Sequence, residues 1–324
     1  KKQLKLSVRV IGISNSRTMC FKSDGLDLND WQNSLSKGEK ASMPLFLEKI
    51  LSLNLRNAIF VDNTASELVA NTYADYLSKS ISVVTCNKIA CAAAYPNYKR
   101  LKDLARTYNA SFLFETNVGA GLPIIDTLKN LVASGDEIKE IQAVLSGTLN
   151  FVFNHFNDQT TFHDVVKQAQ EEGYTEPDPT IDLSGIDVMR KILILARESG
   201  HVMEINDIEN NSFLPSESLE TSSNEAFFDS LIKYESDFQT MYQKAYAKGA
   251  KLKYVASFKD GKASVGLQEI PQGHDFYALE GSDNIVLFYT ERYPNQPMII
   301  KGAGAGAAVT ASGIFADIIR VGNF

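Results

Sequence analysis

The chain has 324 residues, 44% of them hydrophobic and 22% charged, and a formal net charge of −7. That length accommodates two domains with a sizeable core, and the composition is that of a folded globular chain. The acidic balance, with no basic stripe, excludes a nucleic-acid partner, and no apolar run reaches the ~18 residues that a membrane span needs.

The pattern QLKLSVRVIGI (3–13) predicts a first strand, followed by Ser14, Asn15, Ser16 and Arg17. NAIFVD predicts a second, ending at Asn63, Thr64 and Ala65. A helix over roughly 66–78 leads to a third, ISVVT, which ends at Cys86, Asn87 and Lys88. Another helix, about 98–108, leads to SFLF, which ends at Glu115, Thr116 and Asn117. Near-continuous apolar strands alternating with helices imply a parallel sheet covered on both faces. Each polar cluster falls at the carboxyl end of a strand, the edge where open α/β sheets bind ligands.

Glu115–Pro123 is a glycine-rich stretch that can serve as a hinge or aim several carbonyls at one point. A helix over 122–134 and a strand over 137–145 lead to Ser146, Gly147 and Thr148, a helix cap that is also suited to receive a carboxylate. Pro177 and Pro179 exclude a regular helix after Glu176, which leaves Glu176, Asp178 and Asp182 on an irregular loop. Past Gly185 a helix begins, on which Asp187 and Lys191 share a face one turn apart. An ammonium flanked by carboxylates can hold a polar substrate and deliver a proton. The same pattern fits a solvated ion pair on an amphipathic helix, worth ~0.3–0.5 kcal/mol, and periodicity alone leaves both readings open.

A long helix over about 224–248 comes next. LKYVASF and ASVGLQEI then form a hairpin around 259–262, and FYALEG, IVLFYTER and PMIIKG are short strands. Together they predict a mixed, largely antiparallel sheet with helices on one face, which is also a candidate subunit interface. Residues 302–306, GAGAG, imitate a dinucleotide fingerprint but lack a following strand and acid, and a helix over 310–320 ends the chain. Cys20, Cys86 and Cys91 form neither a metal spacing nor an even disulfide set, which favours a reducing, cytoplasmic compartment. The start at Lys1 rather than methionine suggests a piece of a longer chain.

GYTEPDPTIDLSGIDVMRK (173–191) resembles the signature of homoserine dehydrogenases in its G-Y-T-E-P-D-P opening and its D-V-x-R-K close. The resemblance runs from Val8 to Arg320. Ser14-Asn15-Ser16 and Leu26–Trp31 look most like the dehydrogenase part of bifunctional aspartate kinase–homoserine dehydrogenases. It implies an incomplete Rossmann-like parallel sheet (1–116) that opens at its second strand, with the first strand and glycine loop upstream. An α+β catalytic and dimerisation domain with a mixed sheet (117–301) would follow, and a C-terminal helix (302–324) would return to the nucleotide domain. The implied reaction is NAD(P)-dependent reduction of aspartate 4-semialdehyde, a small amino-acid aldehyde, to L-homoserine, in threonine and methionine biosynthesis. Lys191 and Lys88 would be catalytic, and Glu176, Asp187, Thr148, Gly147 and Tyr174 would bind the substrate. Asn15, Arg17, Asn63, Thr64, Ala65, Cys86, Lys88, Gly173 and Gly306 would bind the cofactor. The absence of an acid from Ser14–Arg17 favours NADPH, with NADH tolerated. Glu115 by its carboxylate, and Val118, Ala120 and Leu122 by their carbonyls, would hold a structural sodium ion. A homodimer or larger assembly is expected, with an N-terminal aspartate kinase in the parent chain. Two alternatives stand beside this reading. One is a catalytically silent dimeric scaffold that, lacking the glycine turn, binds the cofactor poorly. The other is a different NAD(P)-dependent aldehyde or keto reductase.

Overall fold

The computed structural model describes residues 5–323. One compact unit comprises the residues up to 90, 99–113 and those from 315 onward; the other comprises 91–98 and 114–314. In the first, β1 (Gly12–Ser14), β2 (Thr18–Phe21) and β3 (Glu39–Lys40) form a small antiparallel sheet, with α1 (Trp31–Ser36) between the last two and α2 (Met43–Leu53) after them. β4 (Ile59–Asp62), β5 (Ser82–Thr85) and β6 (Phe112–Leu113) form a parallel sheet in that order. Every residue of β5 is buried, as expected of a central strand covered on both faces. Phe46 of α2 packs between Phe21 and Phe60, and Phe60 stacks on Tyr76 at 4.0 Å between ring centroids.

The expected strand over 3–13 is corrected here. Residues 1–4 lie outside the described residues, 5–11 form no strand, and β1 pairs with β2, outside the parallel sheet. Asn15 supplies the reason. Its Oδ1 accepts the backbone N–H groups of Arg17 and Thr18, both at 2.8 Å, and its own N–H donates to Thr18 O at 2.9 Å. This side-chain-closed turn folds the segment into a tight hairpin. Asn15 and Arg17 therefore occupy a hairpin turn, not a carboxyl edge of the parallel sheet. The expected helix over 66–78 forms two short ones, α3 (Glu67–Ala70) and α4 (Tyr73–Leu77). The Thr72 hydroxyl between them donates to Val69 O at 2.7 Å, a local bond that competes with helix continuation. α5 (Ile89–Ala92) and α6 (Tyr95–Thr107) complete the connection to β6.

The second unit is built on a six-stranded sheet. In chain order its parts are α7 (Ile124–Ala133), β7 (Ile138–Val144), α8 (Gly147–His155), α9 (Phe162–Glu171), α10 (Pro179–Leu183), α11 (Ile186–Glu198), β8 (Ile208–Asn211), α12 (Ser216–Leu219), α13 (Asn224–Lys233), α14 (Glu235–Tyr246), β9 (Lys251–Lys259), β10 (Lys262–Ile270), β11 (Asp283–Thr290), β12 (Met298–Ala303) and the start of α15 (Ala307–Gly322). The strand order is β12-β11-β7-β9-β10-β8, and only the β10–β8 pair is parallel. The mixed, largely antiparallel sheet expected from the sequence is present. Asp260 and Gly261, both with positive φ, close the β9–β10 hairpin as the turn pattern predicts. Val144, Val255, Ile285 and Leu287 pack on Phe276 and Leu279 of the 271–282 segment.

Three expectations need correction. Residues 224–248 form two helices that break at Tyr234. FYALEG forms turns, not a strand, because its carbonyls are captured by side chains, as described below. Asp182 lies on the short helix α10, not on an irregular loop. Pro179 is its first residue, where proline is tolerated, and Asp178 caps it through Thr180 N at 3.0 Å. Among the described residues no helix is long and apolar enough to cross a membrane.

Candidate active site

The helix α11 supplies the central pair. Lys191 Nζ lies 2.9 Å from Asp187 Oδ2, with the lysine side chain 12% exposed and the aspartate 40%. The same ammonium donates to Leu145 O at 2.6 Å. It is thus drawn inward to the end of β7, where a freely solvated ion pair would not lie. Gly185, at the N-cap of α11, has φ +77°, and a Cβ there would stand 2.0 Å from the Tyr254 hydroxyl. Backbone angle and space both demand glycine.

Just beyond Leu145, Ser146 caps α8 by accepting Leu149 N–H at 3.1 Å. Gly147 and Thr148 form the first turn of α8. The Thr148 hydroxyl donates to Tyr174 O and lies 3.4 Å from Asp182 Oδ1. Asp182 Oδ2 accepts Glu176 N–H at 2.8 Å. The carboxyl of Asp182 is pushed above its ordinary range, first by burial and then, more weakly, by the charges of Glu176 and Asp187. The Tyr174 ring stacks on Phe151 of α8 at 4.4 Å. Of the expected substrate residues, Thr148, Tyr174 and Glu176 are thus joined around Asp182, while Asp187 and Lys191 meet beside Leu145. Asp182 is expected from the sequence only as a loop carboxylate beside Glu176 and Asp178, with no role of its own. Its spacing after Pro179 was visible, but its contacts depend on how α8 and α10 pack.

In the first unit, Asp62 organises the ends of β4 and β5. It is 1% exposed. Its Oδ1 accepts Thr64 N–H at 2.8 Å, and its Oδ2 accepts from Tyr73 Oη at 2.5 Å and Asn87 Nδ2 at 3.1 Å. Asn87 Nδ2 also donates to Ser66 O, and its Oδ1 accepts Ile89 N–H, both at 3.0 Å. The loops bearing Asn63, Thr64 and Ala65 and bearing Cys86 and Lys88 are therefore wired to one buried carboxylate. Burial chiefly, with the charge of Asp62, pushes the Cys86 thiol up, which makes it a poor nucleophile. Asp62, another residue missed from sequence, reads there as an ordinary strand end. Two expected cofactor residues lie in the second unit: Gly173 follows α9 with φ +78°, and exposed Gly306 precedes α15 with φ +114°.

Glu115 is 6% exposed, and its two oxygens accept Ile125 N–H at 2.7 Å and Asp126 N–H at 2.8 Å. It therefore caps α7. Val118 and Ala120 are buried beside it, and Ala120 adopts φ +51°. A carboxylate oxygen accepts more than one partner, so this buried carboxylate is a donor of the kind that a hard cation takes.

Residues 123–319 match the family model for homoserine dehydrogenase, and residues 1–115 match that for the homoserine dehydrogenase NAD binding domain. A maize chloroplastic protein named bifunctional aspartokinase/homoserine dehydrogenase 1 is 41% identical over 328 residues, covering 100% of this chain; the chain spans 36% of that protein's length. The homoserine dehydrogenase of Schizosaccharomyces pombe is 39% identical, covering 97% of this chain and 86% of its own. A hyperthermophilic archaeal homoserine dehydrogenase solved in complex with NADPH superposes with a TM-score of 0.72 at 26% identity, covering 96% of this chain and 87% of its own. With both family models matched in succession and the yeast relative aligned along nearly its whole length, the chain belongs to the homoserine dehydrogenase family.

Proposed function

We propose that the chain reduces the aldehyde of aspartate 4-semialdehyde to the hydroxyl of L-homoserine, using NADPH with NADH tolerated. The observation that carries this is the inward-drawn Lys191 ammonium, held between Asp187 and Leu145 O on the stretch where the family signature lies. The bound nicotinamide supplies a hydride to the aldehyde carbon. The charge that develops on the aldehyde oxygen needs a cation or acid beside it, and Lys191 gives the proton that completes the alcohol. Asp187 and Glu176 bind the substrate ammonium, Thr148 and Gly147 receive its carboxylate at the start of α8, and Tyr174 walls the pocket through its stack on Phe151.

Asn63, Thr64, Ala65, Cys86 and Lys88, on the loops fixed by Asp62, are the residues of this chain that hold the nicotinamide half, and Lys88 also takes part in catalysis. Asn15 and Arg17 serve the adenosine ribose, and the arginine supports the preference for a 2′-phosphate. Gly173 and Gly306 give close backbone approach to the cofactor. Glu115, Val118, Ala120 and Leu122 hold sodium, a reading supported by the buried carboxylate. A homodimer is proposed as the assembly. The test is semialdehyde-dependent loss of NADPH absorbance, with identification of homoserine as product. Binding of both ligands without turnover would instead support a silent scaffold.

A further inference from the structure

Lys253, on β9, has no exposed surface. A buried ammonium carries three N–H donors, each of which is costly if left without an acceptor. Here all three are used: Nζ donates to Asn150 Oδ1 at 2.8 Å, Asn154 Oδ1 at 2.6 Å and Leu279 O at 2.6 Å. Burial pushes the ammonium down to about 8, which still leaves it charged at neutral pH. Asn150 and Asn154 stand four apart on one face of α8. With both amide oxygens turned to the lysine, their nitrogens point to the loop before β11. Asn150 Nδ2 donates to Gly281 O at 3.0 Å and Asp283 O at 3.2 Å, and Asn154 Nδ2 donates to Gly281 O at 3.0 Å.

The loop held in this way reaches the proposed substrate end of α8. Ser282 O lies 3.0 Å from where a Cβ on Gly147 would stand, so loop and helix start are in backbone contact. Two residues on, Asn284 Nδ2 donates to Val144 O at 3.0 Å, next to the Leu145 carbonyl that receives Lys191. We propose that Lys253 is a positioning residue for the amino-acid substrate, orienting Asn150 and Asn154 so that they press the 279–283 loop against Gly147 and fix the carboxylate-receiving turn. A methionine at this position would fill the same space but would set neither amide. The inference rests on the proposed function, since it takes the start of α8 as the place where the substrate carboxylate binds.

The test uses the full chain with Lys253→Met, and Asn154→Ala as a milder second variant should the first fail to fold. Losing one partner of a charge-assisted hydrogen bond predicts a KM for the semialdehyde raised about tenfold, while kcat and the KM for NADPH stay near wild type. Hydrogen exchange should quicken at 281–284 and at 147–149 in both variants. A loss confined to thermal stability, with unchanged KM and unchanged exchange at 147–149, would overturn the proposal. Failure of the unaltered chain to reduce the semialdehyde would count against the reaction itself, and exchange would still show whether Lys253 fixes the helix start.

Discussion

Lys191 is the residue on which the proposed chemistry turns, and its surroundings explain why a helical i,i+4 pair here differs from a surface one. Its ammonium points to a backbone carbonyl as well as to Asp187, so it is held in place for the proton transfer proposed for it. Lys191→Ala should lower kcat about 100-fold or more while cofactor affinity holds, because general acid catalysis acts in the transition state. Glu176→Gln should act mainly on KM for the amino acid, by about tenfold, since an ammonium contact is similar in ground and transition states. Steady-state kinetics with each substrate varied separates the two. Asp182 adds a pH signature. Its folded carboxyl is raised above the ordinary 3.8, so its contribution to stability is full below that value and is lost as pH rises through the folded value. Denaturant melts should show this falling segment in the wild type and not in Asp182→Asn. An identical slope in both would remove Asp182 from the account.

At the scale of elements, the starts of α8 and α11 set the proposed site. Gly185→Ala should cost about 2 kcal/mol or more, through its left-handed backbone and the clash with Tyr254. Tyr254→Phe should relieve part of that loss, because the hydroxyl is the nearest obstacle, and a double-mutant cycle of melting would measure the coupling. α7 offers a separate test. If Glu115 holds sodium as well as capping the helix, replacing choline chloride with sodium chloride should raise Tm, and Glu115→Gln should abolish the difference. Equal melting in the two salts would leave Glu115 as a cap alone. Much of this was legible in the sequence. The period of α11, the Ser146 cap and the 259–262 turn all follow from local rules that the fold leaves intact. The roles of Asp182 and Lys253 were not legible, because their meaning comes from partners distant in the chain. FYALEG misled because its apolar spacing suits a strand, while Asn150 and Lys253 take the carbonyls that a strand would need.

For the whole molecule, strand-by-strand apolar runs gave the α/β class, and β4–β6 form the parallel sheet they imply. The opening strand was misplaced because Asn15 turns the chain back on itself, a short-range effect that hydrophobic periodicity does not register. The dense 173–191 signature carried the family, and the matches to both family models agree with it. The most direct measurement compares wild type with Lys191→Ala in single-turnover oxidation of NADPH by aspartate 4-semialdehyde. If Lys191 donates the proton, the wild type oxidises NADPH rapidly with homoserine formed, and the variant is slower by about two orders of magnitude at unchanged NADPH affinity. Equal rates in the two proteins would contradict it.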